Sequence, residues 1–210
     1  MGLKTEYLKF MFDKVLGFDI PPRKHYAMLE LGNQRMKYGD ETLWPFINTI
    51  KLFSKQPFTG KEFFTKLGYH HISIDLNGFD GSQRMNLATP IVAENLLFQF
   101  EVLTNFGTTE HVTDQYQCFR NIDNLVKDNG YMVHLVPARG RGTAHGRWHY
   151  TLAFFAMLSD LAGYEIVAGP GVHYFGKPGN LYITCGYKKK RGHNFMNRKD
   201  FPIGLIDKNE

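Results

Sequence analysis

Cysteine is scarce. The 210-residue chain has two, Cys118 and Cys185, in apolar segments with neither C-x-x-C nor C-x-x-x-H spacing, which argues against a disulfide framework and a cysteine-built zinc site and for buried free thiols. Long apolar runs are missing as well. None approaches the roughly 18 to 20 residues that cross a bilayer, and Met1 to Ile20 is broken by Lys4, Glu6, Lys9, Asp13 and Lys14. Neither a membrane span nor a secretion signal is therefore expected, and the expected location is cytoplasmic. Several catalytic signatures are also lacking. Gly32 is followed by Asn33, Gln34, Arg35 and Met36 instead of the G-x-G-x-x-G of a dinucleotide site. The G-x-x-x-x-G-K run from Gly171 to Lys177 ends on Pro178, where a phosphate loop needs a Ser or Thr to reach magnesium. No G-x-S-x-G nucleophile elbow occurs. His145-x-x-x-His149 has metal-ligand spacing, but Gly146 argues against a helix there and no third ligand is obvious, so no metal is expected.

What is present describes a folded globular chain. Hydrophobic residues make up 43%, with 18 Phe and 11 Tyr, and a chain of this size buries about 70% of its unfolded surface in one domain. The net charge of +5 is concentrated at one end. Residues 188–210 hold seven Lys/Arg against three Asp/Glu, leaving +1 for the other 187 residues. Such a run can contact phosphate, but a solvated terminus is its commoner meaning, so nucleic acid is not the expected partner.

Along the chain, Leu3, Tyr7, Phe10, Met11 and Lys14 follow helical spacing up to Pro21 and Pro22, predicting an amphipathic lead-in helix over 3–17. Tyr26 to Leu31, ending at Gly32, reads as a strand buried on both faces. Further strands are predicted at His71 to Leu76, Arg84 to Ala88, Phe98 to Thr104 and Tyr131 to Val136. Thr59 with Glu62 forms a capping box opening a helix that stops at Gly68, and Thr113 to Lys127 reads as a helix closed by Asn129 and Gly130. A helix over Tyr150 to Leu161 precedes two strands, Tyr164 to Ala168 and Leu181 to Tyr187, joined without a helix, so the last strand should run against the others. The prediction is one three-layer α/β domain over 1–210, with a mostly parallel sheet and its ligand beyond the carboxyl ends of the strands.

Those ends carry polar residues. Glu30 closes the first strand just before Gly32, and Asp75 closes the second, where a carboxylate can accept hydrogen bonds from ribose hydroxyls. An acid in such a place is also an ordinary cap or turn former. The succession MLELG, SIDLNG, MNLATPI, FEVLTNFGTTEHV and GYMVHLVP resembles the class I S-adenosylmethionine-dependent methyltransferases, over residues 26 to about 187. The resemblance implies a Rossmann-like fold and S-adenosylmethionine as cofactor. It implies that Glu30, Gly32 and Asn33 cradle the methionine moiety, that Asp75 with Leu76 beside it holds the ribose, and that Asn86 and Leu87 lie at the adenine. It also places Thr104 and Asn105 near the methyl group.

Two departures stand out. Gln34 occupies the second glycine position of the family's E-x-G-x-G, and Glu30 and Asp75 lie 45 residues apart, leaving an insertion over about 35–60 that contains Tyr38, Trp44, Phe46, Phe53 and Phe58. Such a segment can serve as a lid, as extra core or as a dimer surface. Methyl transfer is an in-line displacement that needs a base only when the acceptor must lose a proton. Glu110 and His111 resemble an E-H pair at the acceptor rim of several small-molecule methyltransferases, with His111 the first choice for a base. His145 and His149, with Arg139, Arg141, Arg147 and Trp148, read as an acceptor wall whose guanidinium groups suit an anionic small molecule, or as exposed loop charges. The alternatives are a noncatalytic methyltransferase-like domain that binds a partner, and a nucleic-acid methyltransferase that uses the basic tail.

Overall fold

The computed structural model describes residues 2–17, 20, 22, 24–37, 39–139, 146–174 and 181–208. Strands β1 (Ala27–Leu31), β2 (His70–Asp75), β3 (Gln83–Arg84), β4 (Phe100–Phe106), β5 (Val126–Pro137), β7 (Tyr164–Tyr174) and β8 (Leu181–Lys189) form one sheet in the order β3-β2-β1-β4-β5-β8-β7. All neighbours are parallel except β8, which runs against both β5 and β7. This is the predicted architecture, and the strand order reverses between β1 and β4. A short pair, β6 (Trp148–His149) with β9 (Asp207–Lys208), stands apart from the sheet.

Alternation along the central strands feeds two cores. Leu29, Leu31, Leu103, Met132 and Val136 face a core built with α4 (Gln115–Leu125) and α5 (Leu152–Ala162). Met28, Val102, Phe106, Val133 and Leu135 face a second core under α1 (Thr5–Lys9), α2 (Leu43–Thr49) and α3 (Gly60–Lys66). The predicted lead-in helix is α1 running into a π-helical stretch, Phe10–Leu16, closed by Gly17. Its buried pairs, Tyr7 with Leu8, Met11 with Phe12 and Val15 with Leu16, recur every fourth residue. That spacing outruns 3.6 residues per turn, and a wider turn keeps the pairs on one face.

Three boundaries differ from the predicted ones for physical reasons. The third strand keeps only Gln83–Arg84, because Asn86 turns the chain by accepting from the Ala88 N–H (2.9 Å). α4 stops at Leu125, and β5 begins at once, carrying Asn129 at φ +64° before the regular pairing with β4 resumes at Tyr131. The basic end is not a free arm. Lys188 and Lys189 belong to β8, Met196, Phe201 and Ile206 are buried in the first core, and Arg198 donates twice to Asp114 (3.0 and 2.9 Å). Among the described residues no helix is long and apolar enough to cross a membrane. Cys118 and Cys185 are free and buried, and burial pushes the Cys185 thiol up to about 12.

Part of the insertion packs into the second core. Leu43 and Ile47 of α2 are buried, and Trp44, Phe46 and Phe53 pack partly buried against the second core. Phe58 is exposed, with the Arg35 guanidinium 4.9 Å over its ring. Of the described residues, Gln34 is the last before α3 to line the cleft below; Tyr38 lies outside the described residues.

Candidate active site

A cleft of about 480 Å³ opens at the carboxyl ends of β1, β2 and β4, at the switch in strand order where open α/β sheets bind ligands. Gly32, Asn33, Asp75, Leu76, Asn86, Leu87 and His111, all named from the sequence, line it. Gly32 sits at φ +78°, and a Cβ there would fall 2.6 Å from Thr108 Oγ1 and 2.9 Å from Gln34 Nε2. The left-handed conformation favours glycine, and the Thr108 and Gln34 side chains would have to shift to admit a Cβ.

Asp75 is half-buried and held at both oxygens. Oδ2 accepts from the Asn33 backbone N–H (3.2 Å) and Oδ1 from that of Asn77 (3.0 Å). Each oxygen keeps a lone pair for a further donor. Thr108 Oγ1 donates to the Leu31 carbonyl (2.7 Å), tying the loop after β4 to the end of β1. The exposed Leu76 side chain and the buried Leu87 give this end of the cleft an apolar lining beside the acid.

Glu30 lies behind the cleft instead of lining it. Its carboxylate is buried, with Oε2 accepting from the Gln34 N–H (3.3 Å) and standing 3.4 Å from His71 Nε2. Gly60, the first residue of α3, presses on it, since a Cβ there would meet Glu30 Oε1 at 2.5 Å. Burial pushes the Glu30 carboxyl above the usual carboxylate range, and His71 and the Gln34 N–H draw it back.

Thr104 and Asn105 are fully buried and likewise do not line the cleft. Asn105 is the hub of a polar scaffold. Its Nδ2 donates to Thr109 Oγ1 (2.9 Å) and stands 3.1 Å from His134 Nδ1, while Oδ1 accepts from the Thr108 and Thr109 N–H groups (3.3 and 3.2 Å). Tyr150 Oη donates to Gln115 Oε1 (2.6 Å) and stands 3.0 Å from Thr109 Oγ1, whose hydroxyl can donate to it, and Gln115 Nε2 reaches the carbonyls of Thr109 and Val112 (2.8 Å each). This network fixes the loop over 107–113, which carries His111. Burial lowers the His134 imidazole to about 3, so it is neutral. On the other side, Asn121 of α4 donates to the Leu87 and Thr89 carbonyls (3.0 and 2.8 Å) and accepts from the Ile91 N–H (3.1 Å), holding the loop that carries Asn86.

His111 is half-exposed on the wall, and burial of its other half lowers its pKa from the ordinary histidine value. Glu110 is buried, 3.8 Å from His111 Nε2, under Gly146, whose Cβ would fall 2.5 Å from Glu110 Cγ. His149 is buried in the β6–β9 pair and does not reach the cleft. His145 and Arg141 lie outside the described residues. Arg139 and Arg147 are exposed, and the Arg147 N–H donates to the Glu110 carbonyl (2.7 Å). Trp148 Nε1 donates to the Val112 carbonyl (2.8 Å), so the segment after residue 145 braces the same loop. The lining residues missed in the sequence, chiefly Met85, Thr108, Val112 and Thr113, flank ones that were named.

No family model and no curated protein matches the sequence. Solved structures do match by fold. Over 80% of this chain and 72% of the other, at 14% identity and a TM-score of 0.50, it is similar to the Burkholderia thailandensis 1,6-didemethyltoxoflavin-N1-methyltransferase, solved with 1,6-didemethyltoxoflavin and S-adenosylhomocysteine. An S-adenosylmethionine-dependent methyltransferase from Mesorhizobium loti matches over 87% of this chain and 96% of its own, at 12% identity and a TM-score of 0.51. The CurJ carbon methyltransferase matches over 82% of this chain at 13% identity and a TM-score of 0.50; the chain spans half of that protein's length. The chain has the Rossmann-like methyltransferase fold.

Proposed function

We propose that this protein is an S-adenosylmethionine-dependent methyltransferase acting on a small, anionic acceptor. The observation that carries the reading is the cleft itself. At the switch point of a methyltransferase fold, a glycine held in the left-handed region adjoins an acid with both oxygens oriented and a loop bearing an asparagine and a leucine. The residues fit the cofactor. The turn over Gly32 to Gln34 would lie against its amino-acid end, Asp75 would hold its ribose hydroxyls, and Leu76, Asn86 and Leu87 its adenine. When bound, it supplies an electrophilic methyl group on a sulfonium.

The chain's own contribution is positioning and proton transfer. The scaffold of Asn105, Thr109, Tyr150 and Gln115 sets the wall rigidly, which in-line displacement rewards. His111, kept neutral near pH 7 by partial burial, accepts the acceptor's proton at Nε2 or Nδ1, and Glu110 behind it steadies the imidazolium that results. Arg139 and Arg147 offer guanidinium groups to an acceptor carboxylate or phosphate.

A pair of variants tests these assignments. Asp75→Ala is expected to lose tenfold or more in cofactor affinity by calorimetry, and unchanged affinity would sink the ribose assignment. His111→Ala is expected to bind cofactor normally and to lose about 10²-fold or more in turnover. Because a protonated His111 cannot act as base, wild-type kcat/KM should fall on the acid side of the ordinary histidine value near 6.5, and that limb should vanish in the variant.

A further inference from the structure

The loop Gly32 to Gln34 would ordinarily present backbone N–H groups to an anionic ligand. Here each of the three is already spent inside the protein. Gly32 N–H donates to the Ile74 carbonyl (2.8 Å), Asn33 N–H to Asp75 Oδ2 (3.2 Å) and Gln34 N–H to Glu30 Oε2 (3.3 Å). The Asn33 amide is committed too, donating to the Phe79 carbonyl (3.1 Å).

Gln34 is different. Its residue is 6% exposed, it lines the cleft, and its carboxamide folds back with Nε2 over Gly32. Oε1 has no hydrogen-bond partner among the described residues. An unsatisfied buried amide oxygen costs about 1 to 3 kcal/mol, and nothing in the described fold gains from leaving it so. A carboxamide also carries a donor and an acceptor in one plane, the complement of an ammonium and carboxylate on one carbon.

Resting on the cofactor reading above, we infer that the Gln34 side chain is the ligand for the amino-acid end of the cofactor, doing with its carboxamide what the loop's committed backbone N–H groups cannot. Nε2 donates to the α-carboxylate, and Oε1 accepts from the α-ammonium after a small rotation about the last side-chain bond. The departure from the family's second glycine then marks a site rebuilt around a side chain.

The test is calorimetric titration of the full chain with S-adenosylhomocysteine and with 5′-methylthioadenosine, which keeps the nucleoside and sulfur but lacks the amino-acid end. Wild type should bind the first at least tenfold more tightly. Gln34→Ala should lose at least tenfold for S-adenosylhomocysteine while its affinity for methylthioadenosine stays within twofold. Gln34→Met preserves the volume of the side chain and should behave the same way, so a hollowed loop cannot account for the loss. Equal losses for both ligands, or none, overturn the inference, as does tighter S-adenosylhomocysteine binding in Gln34→Ala, which would make the side chain an obstruction. A wild type that binds both ligands equally contradicts the inference and leaves the cofactor reading standing. A wild type that binds neither overturns both.

Discussion

Two buried acids, at opposite ends of the sheet, are treated in opposite ways. At the amino end, Asp123 meets Tyr164 Oη at Oδ1 (2.9 Å) and Lys189 Nζ at Oδ2 (3.2 Å), while the same ammonium donates to the Asp123 and Val126 carbonyls (2.6 and 3.2 Å). All three ammonium hydrogens have acceptors and both carboxylate oxygens have donors. At the carboxyl end, Glu30 has one oxygen engaged by Gln34 N–H and His71, and its Oε1 has no hydrogen-bond partner among the described residues. Burial raises both carboxyl groups. The closed cluster ties the C-terminus of α4 to β8 and serves stability; the open one lies beneath the cleft and holds the loop that a ligand must meet. The difference teaches that a buried acid in this fold is closed off where it only joins elements and left partly open where it underlies the place where binding is proposed.

Breaking the closed cluster should have the largest effect on stability. Lys189→Met leaves a buried carboxylate and two carbonyls without their donor, and is expected to cost about 3 to 5 kcal/mol in urea unfolding, with S-adenosylhomocysteine affinity unchanged. Glu30→Ala should show the reverse balance. It removes the acceptor for one buried N–H, so about 1 to 3 kcal/mol is expected. Cofactor affinity should nonetheless drop at least tenfold as the loop over 32–34 loosens. Equal stability losses in the two variants with no difference in binding would erase the contrast.

The third effect is smaller per unit change in condition and sharpens the picture at the scaffold. His134 titrates near 6.5 when unfolded and near 3 when folded. Between those values the unfolded chain binds the extra proton, so stability falls as pH falls, by up to about 1.4 kcal/mol per pH unit. His134→Asn should remove that component, giving a flatter stability profile than wild type between pH 6 and pH 4. Parallel profiles would show that His134 is not buried as a neutral group.

The fold was legible because buried parallel strands announce themselves as continuous apolar runs, as in residues 26–31 and 131–136, and because the helices between them carry capping signals at Thr59 and after Leu161. The reversed last strand followed from its short connection. The cleft residues of the loops were legible for a related reason: Gly32, Asp75 and Asn86 sit just past strand ends, where position alone suggests a role. The scaffold was not. Gln115, Gln117, Asn121 and Asp123 on α4 look like a solvated helical face, yet all are buried, because the loop over 85–91, Tyr150 and Lys189 come from elsewhere in the chain to cover them. Lys189 itself sits in a run that reads as a charged tail. Partnership across 30 to 70 residues leaves no local pattern, so Thr104 and Asn105, expected near the methyl group, and His149, expected in the acceptor wall, proved to be buried away from the cleft lining.

The central claim is that the cleft at the ends of β1, β2 and β4 holds S-adenosylmethionine. Its most direct test is calorimetric titration of the wild-type chain with S-adenosylmethionine, with NAD as control. The account predicts one site of micromolar affinity for the first, about −8 kcal/mol, and no heat from the second. Absence of S-adenosylmethionine binding, or equal binding of NAD, would contradict it.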